Sequence, residues 1–303
     1  MKNNIQVKKR RFSNETGDRI AGWLFVSPML IGFSIFMFGP LLFALYMSLH
    51  DWPLLGEETF IGLKNYQDLL SDQSFLNSLK VTFLFSFGLV PLNIILAIFL
   101  AVLLKDKFAG IGLFRTAIFV PVVTSLIVWA IVWKYLLAPE LGFINQFLGI
   151  FGIDGPAWLL NKSTALPAVI LVSVIKNVGL NMILFLTAMQ QVPAELYEAA
   201  ELDGASSFRK FKNITLPLIT PTVFLTMIIT TIGAMKVFGQ VYVMTGGGPG
   251  ESTKVLVYYI WETAFKLFDI GYASAIAFVL FFLLLAFTIL SWVVRKRWVF
   301  YEE

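Results

Sequence analysis

Two lysines and two asparagines stand where polar groups are expensive. Lys176, Asn177 and Asn181 interrupt an apolar run at 164–190, and Lys236 interrupts another at 218–243. A charged side chain at the centre of a bilayer costs about 2.5–3.5 kcal/mol on insertion scales, so such residues usually face a cavity or a path. Lys176 lies near the middle of its run, with Leu180 one turn on. Asn177 and Asn181 are one turn apart on the neighbouring stripe. Lys236 lies in the outer half of its run, where snorkelling to the interface competes with a cavity-facing role. These groups offer charge pairing and hydrogen bonding, not bond cleavage. One histidine, His50, and no cysteine leave no His-based metal cluster, catalytic pair or thiolate. The run Thr245-Gly246-Gly247-Gly248-Pro249-Gly250 fails as a phosphate-binding loop, because Glu251 stands where the lysine is required. Catalysis by this chain is not expected.

A second polar feature is larger. Between the two interrupted runs, residues 191–217 carry charge, a glycine break and a proline stop. Pro193 suits the first position of a helix, and Glu195, Glu198 and Glu201 favour its first turns. Leu196, Ala199 and Ala200 are strong helix formers. Gly204 permits a sharp reversal. Ser206 or Ser207 can cap a second short helix, with Phe208, Phe211 and Ile214 facing inward. Pro217 sets the entry to the next segment. The pattern predicts a helix–turn–helix docking surface at the membrane face, against the plainer alternative of an interfacial loop.

The elements that must position these residues are membrane spans. The chain is 58% hydrophobic and 14% charged, against roughly half and a quarter in soluble domains. Six charge-poor segments follow at about 20–49, 81–104, 116–137, 164–190, 218–243 and 270–294. Pro28 and Pro40 predict kinks in the first, and Trp129, Trp133 and Tyr135 anchor the third at an interface. The first is too long for a signal peptide and lacks a cleavage site. Residues 138–163 predict short interfacial helices. With the N-terminus inside, fifteen Lys and Arg fall on the inner side and six on the outer side or its edges. That bias predicts both tails, 1–19 and 298–303, in the cytoplasm. The formal charge of +4 is thus read as topology, not as nucleic-acid binding.

Glu198-Ala199-Ala200, three residues, Gly204, nine residues, then Ile214-x-Leu216-Pro217 resembles the EAA signature of bacterial ABC import permeases. The flanks Gln190, Pro193, Glu195-Leu196-Tyr197 and Asp203-Gly204-Ala205-Ser206 resemble the carbohydrate-uptake branch, the MalF/UgpA/LacF-like permeases. So do Ser48-Leu49-His50-Asp51-Trp52, Gly62-Leu63-Lys64-Asn65-Tyr66, Phe114-Arg115 with Pro121, and the Thr245–Pro249 loop. The first external loop is short, similar to the compact glycerol-phosphate and lactose-type members. The C-terminus lacks the Gly-Ala-Val-Lys-Gly-type ending common in MalG-like partners, so the chain resembles the MalF-like half.

The resemblance implies an all-α integral membrane protein with six transmembrane helices in the type I importer (MetI-like) fold. It implies a MalG-like second permease, a homodimer of cytoplasmic ATPase subunits that bind ATP and Mg, and an extracytoplasmic solute-binding protein in a bacterial inner membrane. Glu198, Ala199, Ala200, Asp203, Gly204, Ile214, Leu216 and Pro217 would then couple to the ATPase, and the glycine-rich loop would lie near the binding protein. The matching substrate positions are Lys176, Asn177, Leu180 and Asn181 before the loop, and Thr230, Gly233, Ala234, Lys236 and Val237 after it. The third span would contribute near Val122 to Leu126. Small and apolar residues at several of these positions are unlike a maltose site. The two lysines raise the hypothesis of an anionic solute, such as a uronic-acid oligosaccharide or a sugar phosphate. The alternative outside the family is an ATP-independent secondary transporter or channel.

Overall fold

Short polar side chains set where several helices begin. Asp72 Oδ1 accepts the backbone N–H groups of Ser74 at 2.9 Å and Phe75 at 3.2 Å. Asn161 caps the Ser163 N–H, and Asp269 caps that of Tyr272. Each satisfies donors that a helix start leaves orphaned.

The computed structural model describes residues 15–53, 56–106 and 108–300, with backbone alone for 15–18. The basic run Lys8-Lys9-Arg10-Arg11, Lys107 and the end of the second tail, 301–303, lie outside the described residues. The helices are α1 (Glu15–Phe33), α2 (Gly39–Ser48), α3 (Lys64–Ser71), α4 (Gln73–Leu103), α5 (Ile111–Val123), α6 (Leu126–Leu136), α7 (Phe143–Ile150) and α8 (Lys162–Gln190). They continue as α9 (Ala194–Leu202), α10 (Ser207–Lys210), α11 (Leu216–Leu218), α12 (Thr220–Met235), α13 (Gly239–Met244), α14 (Leu256–Phe265) and α15 (Ile270–Val294). A two-stranded ribbon, β1 (His50–Asp51) with antiparallel β2 (Thr59–Phe60), lies in the connection between α2 and α3.

Four helices among the described residues are long and apolar enough to cross a membrane, and six crossings result if each of two bent pairs counts as one. The first, Arg19–Ser48, is continuous through both prolines. A π-helical turn at Ser34–Phe38 directly precedes Pro40, and the Gly39 N–H bonds back to the Ser34 carbonyl. The wider turn accommodates the donor that Pro40 lacks. No residue in the apolar window of this helix is buried within the chain.

α4 and α8 run parallel at the centre. Phe85 and Leu89 pack with Val169 and Val172 at one end, and Ala97 and Ala101 with Met182 and Phe185 at the other. α12 leans on α4, and α5 leans on α8. Gly179 makes that second approach possible: a Cβ there would sit 2.3 Å from the Ile118 carbonyl oxygen. A third cluster joins Leu69 and Phe75 to Leu256, Ala275 and Ile276.

Two expected spans differ from straight helices. The third is α5 and α6 set at 103°, because Thr124 and Ser125 both adopt extended backbone between them. Trp129 Nε1 donates to the Val172 carbonyl oxygen at 3.2 Å, which ties α6 to α8. The fifth stops at Met235 and resumes as α13 after Lys236, Val237 and Phe238. At its N-terminal end a 66° bend separates Ser207–Leu218 from Thr220–Met235.

Candidate functional site: a coupling loop and a central cleft

The polar loop folds as two short helices with exposed faces. Pro193 occupies the position just before α9 rather than its first turn. No residue of α9 is buried, and Glu198 and Ala199 lie open at the surface. The Gly204 N–H bonds to the Glu201 carbonyl at 3.0 Å, and the Ala205 N–H to the Ala200 carbonyl at 2.9 Å. With Gly204 at φ +72°, this is the paired hydrogen-bond closure that a left-handed glycine allows at a helix end. Ser206, not Ser207, caps α10 through the Arg209 N–H. Phe211 packs into the inner core, whereas Phe208 is exposed, contrary to its expected inward face. Asp203 follows α9 at the surface. Ile214 falls in a π-helical turn, Phe211–Thr215, that hands the chain to Leu216 and Pro217.

Two ties fix this loop to the bundle. The Tyr197 hydroxyl lies 2.8 Å from Thr215 Oγ1, and the Lys105 ammonium sits 4.0 Å above the Tyr197 ring. Tyr197 thus joins α9 to the end of α4 and to the π turn. Within the loop, Lys210 lies 2.6 Å from Glu201. That hydrogen bond and its charge hold the Glu201 carboxyl below the usual range, although solvent screens an exposed pair strongly.

The second feature is a cleft of about 390 Å³ between α4, α8 and α12. Asn177, Leu180, Asn181, Thr230, Gly233, Ala234, Lys236 and Val237 all line it. Lys176 does not. Its ammonium is buried and donates to the carbonyl oxygens of Pro121 at 2.6 Å, Val122 at 3.3 Å and Thr124 at 2.7 Å. The physical reason is local. α5 ends at the elbow, where no further turn supplies the usual donors to its last carbonyls; the Thr124 N–H reaches the Pro121 carbonyl at 3.3 Å, and an ammonium with three donors serves all three. Lys176 is therefore a structural pin, and its charge is taken up inside the protein.

Asn181 Nδ2 reaches Asn93 Oδ1 at 2.6 Å and Thr230 Oγ1 at 3.0 Å. Asn93 Nδ2 contacts the Val174 carbonyl at 3.3 Å. This chain of amides ties α4, α8 and α12 together behind the cleft wall. Sequence reasoning passed over Asn93, although an amide in so apolar a run is itself a signal. It also passed over Phe85, Leu89, Phe238 and Gln240, which complete the lining. Leu126 of the third span reaches the cleft; Val122 instead gives its carbonyl to Lys176.

The glycine-rich loop is knit to its own ends. Thr245 and Thr253 hydroxyls lie 2.8 Å apart, and Thr253 donates to the Gly248 carbonyl at 2.7 Å. Nearby, Asp72 Oδ2 accepts the Tyr259 and Tyr272 hydroxyls at 2.5 and 2.9 Å. Burial opposes the charge on Asp72, but these hydroxyls and two backbone N–H groups outweigh it and lower its pKa. Burial and the adjacent carboxylate push the Tyr259 hydroxyl up.

The model of one protein family, described as binding-protein-dependent transport system inner membrane component, matches residues 93–299. The chain is similar to the probable ABC transporter permease protein YurN of Bacillus subtilis (strain 168), at 37% identity over 90% of this chain and 95% of the relative. It is also similar to the trehalose/maltose transport system permease protein MalF of Thermococcus litoralis, at 36% identity over 88% of this chain and 91% of that protein. Among solved structures, a bacterial alginate ABC transporter in complex with alginate pentasaccharide-bound periplasmic protein includes a chain with the same fold. The TM-score is 0.83, with 21% identity, 93% of this chain covered and 96% of that one. Helical spans, family match and relatives agree: this multi-pass membrane chain belongs to the binding-protein-dependent transport system inner membrane component family, the permeases of ABC importers.

Proposed function

We propose that the chain forms half of the translocation pathway of an ATP-driven importer that takes up a carbohydrate, either an oligosaccharide or a sugar derivative. The trehalose/maltose transport role of one relative supports the substrate class. An extracytoplasmic binding protein delivers the solute, and a MalG-like permease supplies the other half of the path. A homodimer of cytoplasmic ATPase subunits binds and hydrolyses ATP with its Mg; this chain carries the force rather than generating it. The excess of inner-side Lys and Arg supports both termini in the cytoplasm, in a bacterial inner membrane.

The observation that carries this reading is continuity. α8, the exposed coupling loop and α12 form one hairpin, and both helices line the central cleft. Exposed Glu198 and Ala199, with the half-buried Ala200 beside them, offer a surface for an ATPase groove. Gly204 sets the reversal, and Leu216 with Pro217 begins the return to α12. Tyr197 ties that surface to α4. A push on α9 is thereby transmitted to the walls of the cleft.

Co-expression with a second permease and an ATPase pair tests it. The expected result is a complex that survives purification and transports only with ATP. A chain that transports as a lone subunit without ATP would overturn the reading in favour of a secondary carrier or channel.

A further inference from the structure

Among the described residues, Lys236 is the only charged one that lines the central cleft, and none of those lining it carries a carboxylate. Among the described residues its ammonium has no ion-pair or hydrogen-bond partner, in contrast to Lys176 with its three carbonyls. It stands where α12 ends, on non-helical backbone, and is exposed to the cleft. One turn beyond lies Gln240, which is only 4% exposed. Gln240 also lines the cleft, and its Nε2 has no hydrogen-bond partner. A buried amide donor left unpaired costs about 1–3 kcal/mol, so a residue held this way points to a group that arrives later. Across the cleft, Asn177 donates to the Ser173 carbonyl of its own helix at 2.8 Å. Asn177 lines the cleft, and that bond leaves its Oδ1 free to accept.

We propose that this cleft is selective for an acidic saccharide, with Lys236 pairing the carboxylate of a uronic-acid unit and Gln240 Nε2 donating to a neighbouring oxygen. The proposal rests on the carbohydrate-import reading and narrows it. Asn177 Oδ1 accepts a sugar hydroxyl, and Phe238 and Leu126 supply apolar wall against the ring faces. The volume falls in the range of about 300–1,000 Å³ typical of small-molecule sites. A lone ammonium in a low-dielectric cleft without a counter-ion gives an anion a preference that a neutral isostere lacks.

The test measures equilibrium binding of two probes to the purified complex: trigalacturonate, and the same trisaccharide with its carboxyls reduced to alcohols. The wild type is expected to bind the acidic probe about tenfold more tightly. Lys236→Gln should abolish that difference by lowering affinity for the acidic probe to that for the neutral one, and Lys236→Arg should keep it. Gln240→Leu should weaken both probes by a similar factor. Equal binding of both probes by the wild type would overturn acid selectivity, and discrimination that survives Lys236→Gln would overturn the part given to Lys236; either result leaves the carbohydrate reading standing. Binding of neither probe by the wild type would overturn both.

Discussion

The Lys176 ammonium reaches back 55 residues to the Pro121 carbonyl oxygen and meets it at 2.6 Å. That contact pins the broken third crossing to the central helix α8. It separates two lysines that look alike in sequence: Lys176 holds the elbow, and Lys236 faces the cleft. Replacing Lys176 with Met leaves buried carbonyls without donors, each costing about 1–3 kcal/mol. The expected outcome is a lower melting temperature of the purified complex, with uptake reduced equally for acidic and neutral saccharides. Normal stability with a loss confined to acidic saccharides would show that Lys176 contacts solute.

Helix spacing gives a second prediction through two glycines. A Cβ at Gly179 would meet the Ile118 backbone carbonyl at 2.3 Å, whereas one at Gly88 would meet the tip of Ile170 at 2.8 Å. Backbone cannot move aside as a side-chain methyl can. Gly179→Ala should therefore cost about 1–3 kcal/mol by overpacking, and Gly88→Ala much less. Thermal unfolding of the two variants side by side checks the order; equal losses would contradict it.

Much of this architecture is legible in the sequence, but its breaks are not. Long apolar runs announce helices because the bilayer requires about twenty apolar residues per crossing. The loop's cap and glycine closure are also local, so Ser206 and Gly204 could be read from neighbouring residues. The elbow at Thr124–Ser125 could not, since hydrophobicity reports burial and not direction. Its support, Lys176, lies on another helix, so no local pattern reveals that the charge is already satisfied. Asn93 and Gln240 were readable as intramembrane amides, yet their pairing state depends on three helices meeting.

The Asp72 cluster should act as an acid-sensitive latch. Asp72 has a pKa lowered from 3.8 in the folded chain by the Tyr259 and Tyr272 hydroxyls and two backbone N–H groups, against opposing burial. A depressed carboxylate pKa contributes stability above the unfolded value, and that contribution is lost as pH falls through the folded value. Stability should thus decline below about pH 4. Asp72→Asn should be less stable at neutral pH and should lose this part of the acid dependence. An unchanged acid limb in the variant, followed by thermal unfolding against pH, would contradict the assignment.

Tyr197 connects the coupling helix to the bundle through Thr215 and Lys105. Tyr197→Ala removes both contacts, and Tyr197→Phe keeps the ring under Lys105. In the reconstituted complex, Tyr197→Ala should raise ATP consumed per solute imported, with Tyr197→Phe intermediate. An unchanged ratio in both variants would place the coupling path elsewhere.

The central claim is that the exposed helix α9 transmits ATPase motion to the cleft. Glu198→Lys reverses a surface charge without touching the core, and Gly204→Pro destroys the left-handed closure at φ +72°. The decisive measurement is ATPase activity of the complex in lipid vesicles, with and without solute-loaded binding protein. Both variants should insert and assemble at wild-type levels yet lose stimulation. Full stimulation in either variant, with assembly intact, would contradict the coupling role of this loop.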